Sequence, residues 1–506
     1  MLFNFLSLNL LIFSPILAAV IIASPLFGIN PIYIRRFAKT FGTCHFIYTL
    51  LFVAFNNLGV GPFYNEINIF GSAWLSNLGI NAAFGTDGLT VILVAMTSFI
   101  FLLALILSKT MIRTKHKMYY TLMFLLLSAL LGTFCAKDMF VFLIFWLAEL
   151  IPMYLLIAEW GTGNCKQSAM KYLMFTFFGS IFMLMAMISL YYYGYHANGE
   201  LSSSIDFLRV NMEDGIFPLV LKKAIFWGFF IGFAVKLPVF PLHTWLTDVN
   251  SDSVPPVNML FSAVLLNTAC YGLIRFNLDL FPELFAYYAP ILMIIAVVTI
   301  IWASLCALKQ KDIYKIVSYA CVIYSGLFLL GLSTLTKAGI DGAILIMISS
   351  SLITAGLFAI TGLVQQATKT KSLVEITGLG KSMPRLMNLS YFFVFATMAV
   401  PLTINFPALW LITYGTYSAD YTSELLPKIA TVIVLTAVVL SGMFILKMFL
   451  GIFGGATDKK YNDITGHRLT VIIALVFFIV LFGCFPESIM NIYDGVSQML
   501  TELLRA

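Results

Sequence analysis

The chain has 506 residues, 61% of them hydrophobic and only 10% charged, with a formal net charge of +6 at neutral pH. Soluble domains carry about 25% charged residues, so a soluble globular enzyme is excluded and an all-α polytopic membrane protein is expected. The basic residues sit in short segments between apolar runs, which argues against a nucleic-acid partner and for contact with lipids.

The first apolar stretch, Leu6 to Phe27, has no charged leader and no clear cleavage site, and reads as a membrane helix rather than a signal peptide. Runs long enough to cross a bilayer lie near 5–28, 41–57, 88–108, 117–135, 138–158, 169–194, 219–246, 256–277, 286–308, 312–333, 339–366, 386–415, 427–453 and 468–492, about fourteen in all. If the N-terminus lies outside, the inside loops hold 19 of the 29 Lys and Arg, with Arg35, Arg36 and Lys39 in the first. The outside loops then hold eight, Arg505 among them. The positive-inside rule therefore places both termini outside and requires an even number of helices.

Two of these runs carry prolines that should break them. The stretch from Phe233 to Asp248 sets Lys236 in an apolar helix and follows it at once with Pro238 and Pro241. Proline removes a backbone donor and clashes with the preceding turn. In lipid, such a break persists only where protein or a water-filled cavity satisfies the freed groups. A charge beside it reads first as part of an ion path, with a lysine snorkelling to the surface as the alternative. The second break is expected at Pro401 and Pro407. The two runs are five helices apart, which gives them opposite orientations, as an inverted five-helix repeat requires. Two unrelated proline kinks are the plainer reading.

Few ionisable residues fall inside the apolar runs. Glu149 lies mid-helix in the fifth, and a Glu–Lys pair with Lys236 is what a proton relay uses, since moving the charge of one partner shifts the affinity of the other. A structural pair with another base is the alternative for Glu149. His243 and Asp248 follow the first break near the inside surface, where His243 could hand protons to the channel or simply cap a helix. Lys447, in the thirteenth run, is either an exit-side group or a snorkelling lysine. Asp312 suits the start of the tenth helix, and its neighbouring lysines read as a topology anchor. The seven cysteines are scattered, and neither a metal-ligand cluster nor a nucleotide loop is present in the sequence, so no cofactor is expected in this chain.

Several segments jointly resemble one family. They are Phe84 to Leu89, Glu149 to Leu156 with Trp160 and Gly161, Phe233 to Leu246, Tyr271 to Phe276, Asp312 to Tyr319, Ala355 to Phe358, and Thr377 to Pro384. The chain is similar over nearly its whole length to the antiporter-like membrane subunits of respiratory complex I. These include chain 4 of the mitochondrial enzyme and its counterparts in the bacterial, cyanobacterial and plastid enzymes. The resemblance implies helices 1–3 over 1–116, inverted repeats over 117–277 and 286–453, and a last helix and tail over 454–506. It also implies neighbouring antiporter-like subunits in a complex that passes electrons from NADH or ferredoxin to a quinone. Flavin, iron–sulfur clusters and quinone would reside in those partners. The membrane would be an energy-transducing one, bacterial cytoplasmic first, with the mitochondrial inner and thylakoid membranes as alternatives.

The departures from the family pattern point one way. The fifth-helix glutamate position is Leu147, and Glu149 lies two residues later, about 200° round a regular helix. The eighth-helix lysine position is Asn267, the tenth- and eleventh-helix histidine positions are Tyr324 and Ser350, and the twelfth-helix glutamate position is Leu409. The histidine after the first break is replaced by Asn250. Of the family's charge series only Lys236 clearly survives. Amides and hydroxyls can hydrogen-bond water but do not bind and release a proton near neutral pH. Three readings follow: a pumping subunit with a modified relay, a structural subunit that keeps the fold without pumping, and a subunit of a multi-subunit cation/proton antiporter or membrane-bound hydrogenase.

Overall fold

Eleven helices among the described residues carry a window of 18 residues apolar enough to cross a bilayer. The computed structural model describes residues 8–25, 30–57, 67–72, 75, 78–199, 201–213, 218–421, 425–456 and 459–504; Arg505 lies outside them. The helices up to the first break are α1 (Leu8–Ala23), α2 (Pro31–Asn57), α3 (Gly88–Met111), α4 (His116–Cys135), α5 (Met139–Ala148), α6 (Leu150–Trp160), α7 (Cys165–Asn198), α8 (Ile205–Glu213) and α9 (Leu219–Lys236). Then come α10 (Thr244–Asp252), α11 (Pro255–Leu260), α12 (Leu266–Gly272), α13 (Pro282–Lys309), α14 (Ile313–Ser333) and α15 (Lys337–Thr368). The chain closes with α16 (Pro384–Thr397), α17 (Asn405–Tyr417), α18 (Leu425–Phe453), α19 (His467–Cys484) and α20 (Glu487–Leu503).

Two boundaries differ from the hydropathy reading. Helix α2 starts at Pro31, well before the apolar run at 41, because proline at the first helical position has its φ preset and no useful N–H to lose. Arg35, Arg36 and Lys39 are therefore helical, and Arg35 Nη2 donates to the Ile112 carbonyl at 2.9 Å. The last run ends early: Pro486 separates α19 from α20, whose apolar Ile489, Tyr493, Val496 and Leu500 recur at helical spacing and pack on α3 and α15. The fold is also not purely helical, since strands β1 (Ile67–Ser72) and β2 (Ala83–Phe84) pair antiparallel.

The site is set by three interruptions. After Lys236, residues 237–243 turn through Pro238 and Pro241. The Val235 carbonyl released by this break accepts from Trp245 Nε1 at 2.9 Å, so the polar group is satisfied inside protein. The second break spans 398–404, where Ala399 and Leu402 take φ of 53° and 78°, a region costly for residues with a Cβ. Pro401 sits in it. Pro407 does not; it falls in the first turn of α17, where its missing N–H costs nothing. The third interruption was not expected. Pro152 cannot donate to the Ala148 carbonyl, and the fifth run divides at Glu149 into α5 and α6.

Neighbouring helices repeat a pattern: α7 lies along α9 as α15 lies along α17, and α4 meets α5 as α13 meets α14. The α7–α9 approach is close enough that a Cβ at Gly232 would stand 2.9 Å from Met183 Cβ and 3.1 Å from the Gly179 carbonyl. The segment Pro255–Leu278 is wholly buried and contains two π-helical stretches, Phe261–Leu265 and Leu273–Leu278. Such stretches concentrate at functional sites.

Candidate functional site

Lys236 ends α9 and Glu149 stands at the α5–α6 interruption; both side chains are fully buried, and Glu149 Oε1 pairs directly with Lys236 Nζ. One turn before Glu149, Trp146 lays its ring over the ammonium, 3.7 Å from Nζ to the centroid. The indole is fixed by its own donor, Nε1 to Ser180 Oγ at 3.0 Å, and by an edge contact with Phe233. Beyond this pair the two charged groups have no hydrogen-bond partner among the described residues. Phe142, Phe229, Phe233 and Phe276 form an aromatic cluster next to Trp146. One unpaired charge there is expensive, whereas the pair is neutral as a whole. Proton transfer from Lys236 to Glu149 also leaves a neutral pair, so the site can hold its excess proton on either partner.

The 200° offset expected for Glu149 does not keep it from the lysine. The helix is interrupted there, and the carboxylate faces inward. Leu147 is half-buried, on the side of Ile144, Ala148 and Ile151, which are exposed. The family's glutamate position thus points towards the periphery here.

The other sequence candidates separate. His243 is buried against Phe240 and Tyr319, with ring centroids 6.1 and 6.3 Å away. It occupies the N-cap position of α10 but makes no side-chain capping bond, and its Nδ1 has no partner among the described residues, which overturns the hydrogen-bonded-cap reading. Lys447 is exposed on the outer face of α18, so the structure does not place it in an exit channel, and the snorkelling alternative fits. Asp248 is clasped by Lys171 at 2.7 Å and Lys315 at 3.0 Å, and so ties α10 to α7 and α14 at the inside edge. Burial pushes its carboxyl up, but the two lysines outweigh this and hold it below the usual range. Its contribution is therefore complete at neutral pH and lost as pH falls below about 4. All three groups are about one-third exposed, so Asp248→Asn should cost only about 1 kcal/mol. Thermal unfolding should show the loss at pH 7 and a smaller one at pH 3.

Three of the replaced positions converge. Asn267, Tyr324 and Ser350 line one cavity of about 20 Å³ together with Ser262, Ser325 and Leu237, the residue after Lys236. That is room for a single water. Asn267 Nδ2 donates to Ser351 Oγ at 2.7 Å and to the Met347 carbonyl at 3.2 Å, joining α12 to α15. Asn250 donates to Ser262 Oγ at 3.1 Å. Leu409 is buried on α17 and does not line this cavity.

Sequence reasoning missed several ion pairs. Arg275 pairs with Asp87, and Asp279 pairs with Arg209 and, at 4.0 Å, with Arg275. Lys371 reaches Asp252 at 3.1 Å and Asp312 at 3.8 Å. Helix-start chemistry was the available signal: Asp87, Asp138 and Asp312 each precede an apolar helix and accept backbone N–H groups of its first turn.

Comparison with known proteins bears directly on this arrangement. Residues 136–441 match the family described as "NADH:quinone oxidoreductase/Mrp antiporter, TM". The chain belongs to this family. It is 32% identical over 438 residues to NAD(P)H-quinone oxidoreductase chain 4 2 of Synechococcus sp. (strain JA-3-3Ab), covering 85% of this chain and 80% of that one. It is 31% identical to chain 4 of Acaryochloris marina, covering 98% and 92%. The fold matches a chain of respiratory complex I from Thermus thermophilus at a TM-score of 0.87 and 23% identity, over 98% of this chain and all of that one. It also matches a chain of the Mrp complex from Dietzia sp. at 0.83 and 16%, over 99% of each. The protein is thus an antiporter-like integral membrane subunit, and the Lys236–Glu149 pair, the first break and the Asn267 cavity all lie within the family-matched segment.

Proposed function

We propose that this chain is a membrane-arm subunit of an NAD(P)H–quinone oxidoreductase of the complex I type, and that it moves protons through a modified relay centred on Lys236 and Glu149. The observation that carries this is the fully buried Lys236–Glu149 ion pair at the helix break. Redox work in partner subunits would alter the field at the pair and shift its proton between partners. His243 is the inside access group, and Asp248 braces the helix that carries it. Flavin, iron–sulfur clusters and quinone belong to the partners. Sequence identity of 32% to a quinone oxidoreductase chain 4, over 85% of this chain, supports this assembly. With α1 and the two broken helices added to the eleven clear spans, the membrane is crossed fourteen times, in two inverted five-helix repeats, with both termini outside. The membrane is energy-transducing; the cyanobacterial relatives favour a bacterial or thylakoid one.

A second reading, a scaffold that no longer pumps, is favoured by the second half, where Tyr324, Ser350 and Leu409 offer no group that titrates near neutral pH, and by Asn267 at the end of the first. Proton pumping by the purified complex in proteoliposomes, expressed as protons per two electrons, separates the two. Lys236→Ala should lower the ratio with electron transfer intact. An unchanged ratio in an assembled complex would leave only the scaffold.

A further inference from the structure

We propose that the inside face carries a binding site for a phosphate-bearing anion, in a cleft walled by Arg113, Lys369, Lys460 and Arg468. Two cavities of about 340 and 370 Å³ adjoin there and share Arg113, Gln366 and Lys369. Lys460 and Arg468 line the second, and among the described residues no carboxylate lines either. The positive-inside rule accounts for basic residues on this face, but not for this arrangement. Some lysines of this face have carboxylate partners, Lys115 with Glu159, Lys171 and Lys315 with Asp248, and Lys371 with Asp252, while others, such as Lys39, Lys109 and Lys166, have no ion pair among the described residues. Around the cleft, none of the four has an ion-pair partner among the described residues.

The neighbouring Asp463 is engaged elsewhere, accepting the backbone N–H of Arg385 at 2.9 Å and of Leu386 at 3.3 Å at the start of α16. Helices α3, α6 and α15 end at the cleft, and each end supplies roughly half a negative charge, which falls short of four cations. The guanidinium groups of Arg113 and Arg468 suit the paired oxygens of a phosphate, and the lysines act as point charges beside them. Met111, Pro255 and the Trp160 indole give the first cavity an apolar wall that accepts carbon attached to the phosphate. An anionic lipid headgroup and a free phosphate anion share this chemistry. The site is independent of whether Lys236 carries protons.

The test uses the purified assembled complex in two arms. One measures inorganic phosphate by equilibrium dialysis. The other reconstitutes the complex in nanodiscs of phosphatidylglycerol and phosphatidylcholine and counts retained phosphatidylglycerol by native mass spectrometry. Binding is expected in at least one arm, and to weaken at least tenfold in Arg113→Gln/Lys369→Gln/Lys460→Gln/Arg468→Gln. Phosphatidylglycerol alone identifies a headgroup as the source; inorganic phosphate binding identifies a free anion. The charge-keeping variant Arg113→Lys/Lys369→Arg/Lys460→Arg/Arg468→Lys should retain most of the binding, and Lys337→Gln, on the opposite end of α15, should retain all of it. No bound anion in either arm, or equal binding in the fourfold Gln variant, overturns the proposal.

Discussion

Glu149→Gln should destabilise the complex by about 3–5 kcal/mol, because it strands the Lys236 ammonium in a fully buried shell with only the Trp146 face to balance it. The same loss is expected from Lys236→Met, which strands the carboxylate. The double variant Glu149→Gln/Lys236→Met should recover most of that stability, since replacing a buried ion pair by neutral groups of similar volume is often neutral or better. Proton pumping should stay low in all three. Thermal unfolding of the detergent-solubilised complex, run beside the protons-per-two-electrons ratio, separates the two effects. Recovery of stability without recovery of pumping would assign the pair to transport. A double variant as unstable as either single one would mean that the two residues do not act as a unit.

Arg275→Leu should be comparably costly, about 3–5 kcal/mol, for a different reason. Arg275 stands between Asp87 at the start of α3 and the fully buried Asp279, and its guanidinium lies 5.3 Å from the Tyr271 ring centroid. Removing it leaves Asp87 without its cation and Asp279 with Arg209 alone. The clasp joins the N-terminal helices to the end of the π-helical segment, so its loss should appear as a lower unfolding temperature and less assembled complex on a native gel. Lys115→Gln is the contrast. Its pair with Glu159 is largely exposed, and such pairs contribute little because water and salt screen them. An equal effect from the two variants would show that burial does not set the cost here.

Much of the candidate site was legible from residue chemistry. Lys236 beside two prolines marked a break that must be buried, and the structure closes that break with the Trp245 donor. Asp312 before an apolar run marked a helix start, and it accepts the N–H groups of Tyr314 at 2.8 Å and Lys315 at 3.4 Å. Glu149 was legible as an unusual charge and as one candidate partner of the lysine, with a structural pair to another base as the alternative. Its orientation was reckoned on an unbroken helix, and Pro152 removes that assumption. Lys447 stayed open between an exit-side group and a snorkelling lysine because hydropathy locates a span without saying which face is covered.

What the sequence alone determined is local: where apolar runs are long enough to cross a membrane, where proline must break them, where an aspartate starts a helix, and which family the segments resemble. These follow from backbone donors, ring closure and side-chain polarity within a few residues. What only the tertiary structure decided is which groups meet. The pairing of Glu149 with Lys236, the double clasp on Asp248, the shared cavity of Asn267, Tyr324 and Ser350, and the four unmatched cations around one cleft each join helices far apart in the chain. Nothing in residue spacing fixes those distances, because they are set by how closely the helices approach, as at Gly179 and Gly232, and by how each break redirects the chain that follows.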